Sequence, residues 1–289
     1  MPINRKYFVI LFFCFSLQTL SCQTTVFIED AVEENGAAFE RLFSYEPPTN
    51  IRYAQGMDIL DGYFFQGYSD GTIDVLNINS GIILQTLGPL KDESNKLIHM
   101  NDLTFRKEGN HEYLIIPTNK INGKIFVYTV YQEDGLFRIN EKFRTDSPQI
   151  DETKYRAATQ YFSDNNTCIQ VAYKRTESDG YGDVIIEQYY FDTLESGANT
   201  KNWSVEYEKL WAMQGATTIG ENCFMAVGVP HGDAKIYKID AASGTVTCYI
   251  DFRAGEDTLK EEEMQGVAFY DGSLYFSTTY GLYKVLKMN

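Results

Sequence analysis

Five side chains of unlike chemistry, Tyr53, His99, Arg156, Trp211 and Glu263, fall roughly fifty residues apart in a chain of 289 residues. An aromatic ring, an imidazole, a guanidinium, an indole and a carboxylate suit recognition of a polar ligand such as a glycan, a peptide or a protein surface. Asp102 and Glu263 are also of the type that moves protons, which makes them the candidate catalytic groups. No two of the five recognition residues are neighbours in sequence. They act together only in a fold that returns the chain to one place at each interval.

An internal repeat supplies that fold. Gln55, Asn101, Ala158, Gln214 and Gln265 each stand six residues before a turn: Asp61-Gly62, Lys107-Glu108-Gly109, Asp164-Asn165, Gly220-Glu221-Asn222 and Asp271-Gly272. Self-similarity at a period near fifty marks a stacked or radial architecture. Within the first repeat, short alternating runs at 57–60, 63–68, 72–78 and 82–87 are separated by Asp, Asn, Ser and Gly. Those turn residues accept the positive φ of tight hairpins. The second and fourth repeats follow the same plan. The third is irregular, with a long turn over 176–183 and a loose polar stretch over 194–202.

Four strands repeated five times predict an all-β, five-bladed β-propeller with four-stranded blades, and the period argues against an open sandwich. The last repeat has room for only three strands, at 267–270, 273–278 and 281–287. The outer strand of the last blade must therefore come from the N-terminal segment, either 39–45 or 24–28, which closes the ring without an open edge. The recognition residues stand two positions before the repeat markers, with Trp211 beside Ala212. They would line the mouth of the central channel. Gln55, Asn101, Gln214 and Gln265 would line the channel itself. The Met-Gln-Gly of 213–215 and of 264–266 would start an innermost strand, where glycine permits close approach and the amide can bond a neighbouring blade.

The first residues read as an export signal. Arg5 and Lys6 precede an apolar run over 7–17, too short to span a membrane, and then small residues ending in Ser21-Cys22. The domains are therefore 1–21 signal peptide, 22–48 N-terminal segment with the closing strand, and 49–289 propeller. Leu20-Ser21-Cys22 resembles the lipobox of bacterial lipoproteins, which implies lipidation of Cys22 and membrane attachment through that anchor. An ordinary signal cleaved near Cys22 is the other reading.

Composition excludes some partners. The net charge of −15 repels phosphate backbones and anionic headgroups, so nucleic acid is not expected. Cys168, Cys223 and Cys248 are an odd number and imply no complete disulfide framework. With His99, His111 and His231 far apart, no metal-ligand spacing appears. No cofactor is expected, and only a structural calcium on oxygens from several loops is left open.

Two resemblances add to this. The combination of leader and repeat resembles secreted β-propeller lipoproteins of Bacteroidetes, which implies a cell-envelope location, on the outer membrane or surface. The blade starts Tyr53-Ala54-Gln55-Gly56-Met57, Met213-Gln214-Gly215 and Met264-Gln265-Gly266-Val267 resemble those of plant-type glutaminyl cyclases. That family carries a glutamate before the glycine of a later blade start, where this chain has Asn101-Asp102. The sequence thus predicts a non-catalytic envelope protein binding a glycan, peptide or protein at the channel mouth. The alternative is an enzyme at the same mouth, a glycosidase or a cyclase-type acyl transferase.

Overall fold

A computed structural model describes residues 39–44, 52–100, 102–108, 110–117, 123–162, 167–174, 182–210, 213–219, 222–227, 234–240, 245–252 and 262–286. They form five four-stranded antiparallel sheets, the blades of a β-propeller. Blade 1 runs β2 (Ala54–Leu60), β3 (Tyr63–Tyr68), β4 (Ile73–Asn77) and β5 (Ile83–Leu87). Blade 2 is β6 (Thr104–Glu108), β7 (His111–Pro117), β8 (Lys124–Glu133) and β9 (Leu136–Asp146). Blade 3 is β10 (Tyr155–Phe162), β11 (Thr167–Lys174), β12 (Gly182–Tyr190) and β13 (Lys201–Leu210). Blade 4 is β14 (Met213–Ile219), β15 (Asn222–Val227), β16 (Lys235–Asp240) and β17 (Val246–Asp251). Blade 5 is β18 (Met264–Tyr270), β19 (Ser273–Thr278), β20 (Gly281–Val285) and, outermost, β1 (Phe39–Ser44).

The 39–45 alternative is therefore the closing strand, with Phe39 opposite Val285 and Ser44 opposite Gly281. A pin of charge and rings fixes it. The Arg41 guanidinium bonds Glu262 and the Tyr283 hydroxyl, and Phe39 meets Phe252 and Phe276 edge-on at 5.3 and 5.6 Å. Glu262 is buried and also accepts from Thr278. Removing Arg41 would leave a buried carboxylate with its cation gone.

Each blade is a twisted sheet with two buried faces, so the core is divided among the five seams between blades. Met57, Phe64 and Leu76 of blade 1 pack with Ala268, Tyr275 and Leu282 of blade 5. Phe65 and Ile73 pack with Met100, Leu114 and Phe126 of blade 2. The remaining seams repeat the scheme, with Ile115 against Cys168, Val171 against Met225, and Phe224 against Phe276. Full burial of such a side chain stabilises by about 1.5–3 kcal/mol.

The hairpin signals act as read. Asp61 and Gly62 have φ of 49° and 80°, and Asp271 and Gly272 of 45° and 73°. Both pairs make turns whose twist matches the strands they join. Blade 3 departs from expectation. The stretch read as loose opens on the last two residues of a five-residue helix, α1 (Phe191–Glu195), and ends on β13, which begins at Lys201. Phe191 and Leu194 are buried against blade 2, which gives that polar-looking segment its anchor.

Candidate functional site at the channel mouth

Inner strands β2, β10, β14 and β18 share one irregularity at their first turn of chain. The register slips between Ala54 and Met57, Tyr155 and Ala157, Met213 and Gly215, and Met264 and Gly266. A bulge re-aims the residue it leaves unpaired. In blades 1, 4 and 5 that residue is the glutamine of the repeat. In blade 3 it is Arg156, so Arg156 stands in line with the glutamines rather than two residues before them. Four residues separate β10 from β11 in sequence, where two separate the first two strands of the other blades, so counting back from Asp164-Asn165 misplaces blade 3.

The glycines after the bulge explain the rest of the motif. A Cβ on Gly215 would lie 2.6 Å from the Gly266 Cα, and one on Gly266 would lie 2.6 Å from the Met57 Cγ. A Cβ on Gly56 would collide with the Asp102 backbone and carboxyl. Each glycine therefore faces the inner strand of the next blade. Blade 2 has Asp102 in the glycine's place, and Gly56 leaves the room that this side chain fills.

Asp102 is 1% exposed. Its Oδ1 accepts the Leu103 amide at 2.8 Å, while Oδ2 is buried and has no hydrogen-bond partner within bonding distance among the described residues. Burial, with the nearby Asp58 charge adding to it, pushes this carboxyl well above the usual range. The Leu103 amide and the Ala216 amide of blade 4 pull the other way. Asp58 itself is satisfied by the Ile59 and Phe105 amides, both at 2.7 Å, the second tying blade 1 to blade 2.

Glu263 lies nearer the surface. The Gln214 amide of blade 4 donates to its Oε1 at 2.5 Å, and the Gln265 amide also favours its charged form. Partial burial is the larger effect, and it raises the Glu263 pKa. Gln55 gives its amide N–H to the Ala54 carbonyl at 2.8 Å. One donor of Gln214 thus crosses to the next blade, while one donor of Gln55 stays on its own strand.

The strand starts share one end of the ring. In blade 1 the Ser69 amide donates to the Tyr53 carbonyl at 3.0 Å, and in blade 5 the Thr279 amide donates to the Glu263 carbonyl at 2.9 Å. At this end Tyr53 and His99 are exposed and Glu263 is half-buried. Gln55 and Gln214 are half-buried below, and Gln265 and Asp102 are fully buried. The structure brings Gln214, Gln265 and Glu263 together. Trp211, Asn101 and Cys22 lie outside the described residues, as does the 24–28 stretch. Of Arg156 the backbone alone is described.

Two features escaped the sequence reading. Tyr280, 36% exposed, sits in the β19–β20 turn next to Thr279, whose amide bonds the Glu263 carbonyl. Its signal was available, because the same turn of blade 1 follows Ser69. The Arg41–Glu262 pair joins residues 221 apart and had no local signal. Cys168 and Cys223 are buried, and neither forms a disulfide among the described residues. Among the described residues no cluster of three or more His, Cys, Asp or Glu suits a metal ion, and no helix is long and apolar enough to cross a membrane.

No protein-family model matches the chain. No curated protein matches it. Among solved structures it is similar to the glutaminyl cyclase of Myxococcus xanthus, at 13% identity and a TM-score of 0.51, over 88% of this chain and 98% of that one. It is also similar to the computationally designed Ika8 protein, at 14% identity and a TM-score of 0.38, over 86% of this chain and 100% of that one. A third similarity is to Raptor of Chaetomium thermophilum, at 12% identity and a TM-score of 0.43, over 91% of this chain and 22% of that one. The first of these bears on the fold, and the other two carry no argument.

Proposed function

We propose that this chain is an exported, lipid-anchored protein of the bacterial cell envelope that binds a glycan, peptide or protein at the mouth of its channel without transforming it. The observation that carries the reading is Glu263, a half-buried carboxylate gripped by an amide from the neighbouring blade at the end of the ring where Tyr53 is exposed. Fixed polar groups beside an exposed aromatic ring are the ordinary make-up of a ligand site. The test is a screen of glycans and peptides against the full chain and its Glu263→Gln variant. The reading expects at least one captured ligand that the variant binds ten or more times more weakly (about 1.4 kcal/mol), with no product formed. Ligands captured equally by both would refute it.

A second reading is favoured by one observation. Glu263 has a raised pKa at the same end of a fold shared with a glutaminyl cyclase. Under that reading the carboxyl exchanges protons with a substrate and the chain is an enzyme. Incubation with a peptide beginning in glutamine, followed by mass spectrometry for loss of ammonia, separates the two. Loss of ammonia that disappears in Glu263→Gln would favour the enzyme.

A further inference from the structure

We infer that the end of the ring opposite the mouth sits on the lipid surface to which the chain is anchored, through exposed apolar side chains led by Ile82, Ile83 and Leu84. This rests on the lipid-anchored reading of Cys22 and goes beyond it, because it gives the ring an orientation on the membrane. Single exposed apolar side chains are ordinary. Here three stand in a row on blade 1, at 62%, 54% and 50% exposure. The register of β5 slips at this point, with Val75 opposite Gln85 and Leu76 opposite Ile83, so Leu84 is left unpaired between them. The bulge takes Leu84 out of the usual alternation of faces. The stretch 75–90 around these residues carries no charge, in a chain whose net charge is −15.

Register fixes where they lie. The inner strands begin at the mouth, so the Asp61-Gly62 and Asp271-Gly272 turns mark the far end. Tyr63 follows the first of these turns, Asn77 is opposite Tyr63, and Leu76 beside it is opposite Ile83. Ile82, Ile83 and Leu84 are therefore at the far end. The Asp134-Gly135 hairpin of blade 2 points the same way, since Glu112 near the start of β7 is opposite Val130. That hairpin exposes Tyr131 and Leu136. Tyr190 of blade 3 is exposed opposite Thr167, the first residue of β11 and so also at the far end. Six of the nine exposed large apolar side chains among the described residues thus share one end, spread over three successive blades. Separate points at one end of a ring suit a flat surface, which touches them together. Aliphatic side chains with tyrosines among them are the make-up of an interfacial contact.

The anchor leads to the same end. β1 opens at Phe39 opposite Val285, and the adjoining Lys284 is opposite Tyr275, two residues past Ser273 at the Asp271-Gly272 turn. Residues 22–38 therefore join the ring at the far end. A lipidated Cys22 on that tether raises the effective concentration of bilayer where the tether is attached. The net negative charge favours zwitterionic headgroups over anionic ones. The mouth then faces away from the lipid, toward arriving ligand.

The test places the full lipidated chain in phosphatidylcholine vesicles with brominated acyl chains. A fluorophore on Ser80→Cys reports on the far end. One on Ser94→Cys reports on the loop that Leu90 ties to the mouth-side turn at Gly71. The chain without either substitution, treated with the same fluorophore, gives the background. The bromines should quench the Ser80 label several-fold more than the Ser94 label. Replacing Ile82→Thr, Ile83→Thr and Leu84→Thr together keeps strand-forming residues and should remove that difference, with thermal unfolding confirming the fold. Equal quenching of the two labels, or a difference that the triple substitution leaves intact, would overturn the inference. Sedimentation of the full chain carrying Cys22→Ser tests for a protein on this face instead. Dimerisation that the triple substitution abolishes would make the occupant a second copy and would also overturn the lipid contact. If mass spectrometry finds Cys22 unmodified, the anchor reading falls separately. Flotation of that untethered full chain with the same vesicles then decides: flotation lost in the triple variant upholds the lipid contact, and no flotation ends it.

Discussion

Replacing Asp102 by asparagine should stabilise the protein, and only above acid pH. The side chain is 1% exposed, one oxygen has no partner among the described residues, and its pKa is held well above that of an ordinary carboxyl by burial. A carboxyl whose folded pKa exceeds its unfolded value contributes stability that is fully present below the unfolded pKa, near 4. That stability is lost as pH rises through the folded pKa, because the folded state must give up a proton it holds tightly. Each unit of separation costs about 1.4 kcal/mol at high pH. Asparagine has the same shape, cannot ionise, and can still meet the Leu103 amide through its carbonyl. One unit already corresponds to a rise in Tm of about 2–4 °C for a chain of this size. The assay is thermal unfolding of the wild type and Asp102→Asn between pH 4 and pH 9. The two should coincide at the acid end and diverge progressively above it, with the variant melting higher. Curves that coincide throughout, or a variant that melts lower at pH 8, would refute the buried neutral acid.

Gly56→Ala should destabilise by about 1–3 kcal/mol, read as a lower melting temperature, because the new methyl meets the Asp102 backbone rather than a side chain able to move aside. Arg41→Ala should cost about 2 kcal/mol in denaturant unfolding, below the usual value for a buried pair because Arg41 is itself about a third exposed. Deleting residues 23–48 should remove β1, expose the β20 edge and lower stability by several kcal/mol, which circular dichroism on heating would show. Cys22→Ser should move the chain from the membrane fraction to the soluble fraction, with mass spectrometry confirming loss of the lipid.

Much of the ring was legible because its grammar is local. Asp61-Gly62 and Asp271-Gly272 mark hairpins by backbone preference alone, and Met-Gln-Gly marks blade starts because glycine is needed where inner strands meet. Asp102 stood out as the odd residue at a blade start, although its burial under Gly56 needed coordinates. Blade 3 was misaligned because its first hairpin is longer and its bulge carries Arg156 in place of glutamine. The helix at Phe191–Glu195 was missed because two buried apolar residues among polar neighbours give no periodicity. The partnership of Gln214 with Glu263 crosses between blades at a separation of 49 residues, and only closure of the ring reveals it.

The most direct measurement is a structure of the full chain with a ligand captured in the screen. The account predicts that ligand at the end of the ring where the inner strands begin, with a donor within about 3 Å of the Glu263 carboxylate and the Gln214–Glu263 contact retained. It further predicts Tyr53 or Tyr280 in ring contact with the ligand. A ligand seated on the outer strands or at the opposite end of the channel, with Glu263 untouched, would contradict the claim that the mouth is where this protein works.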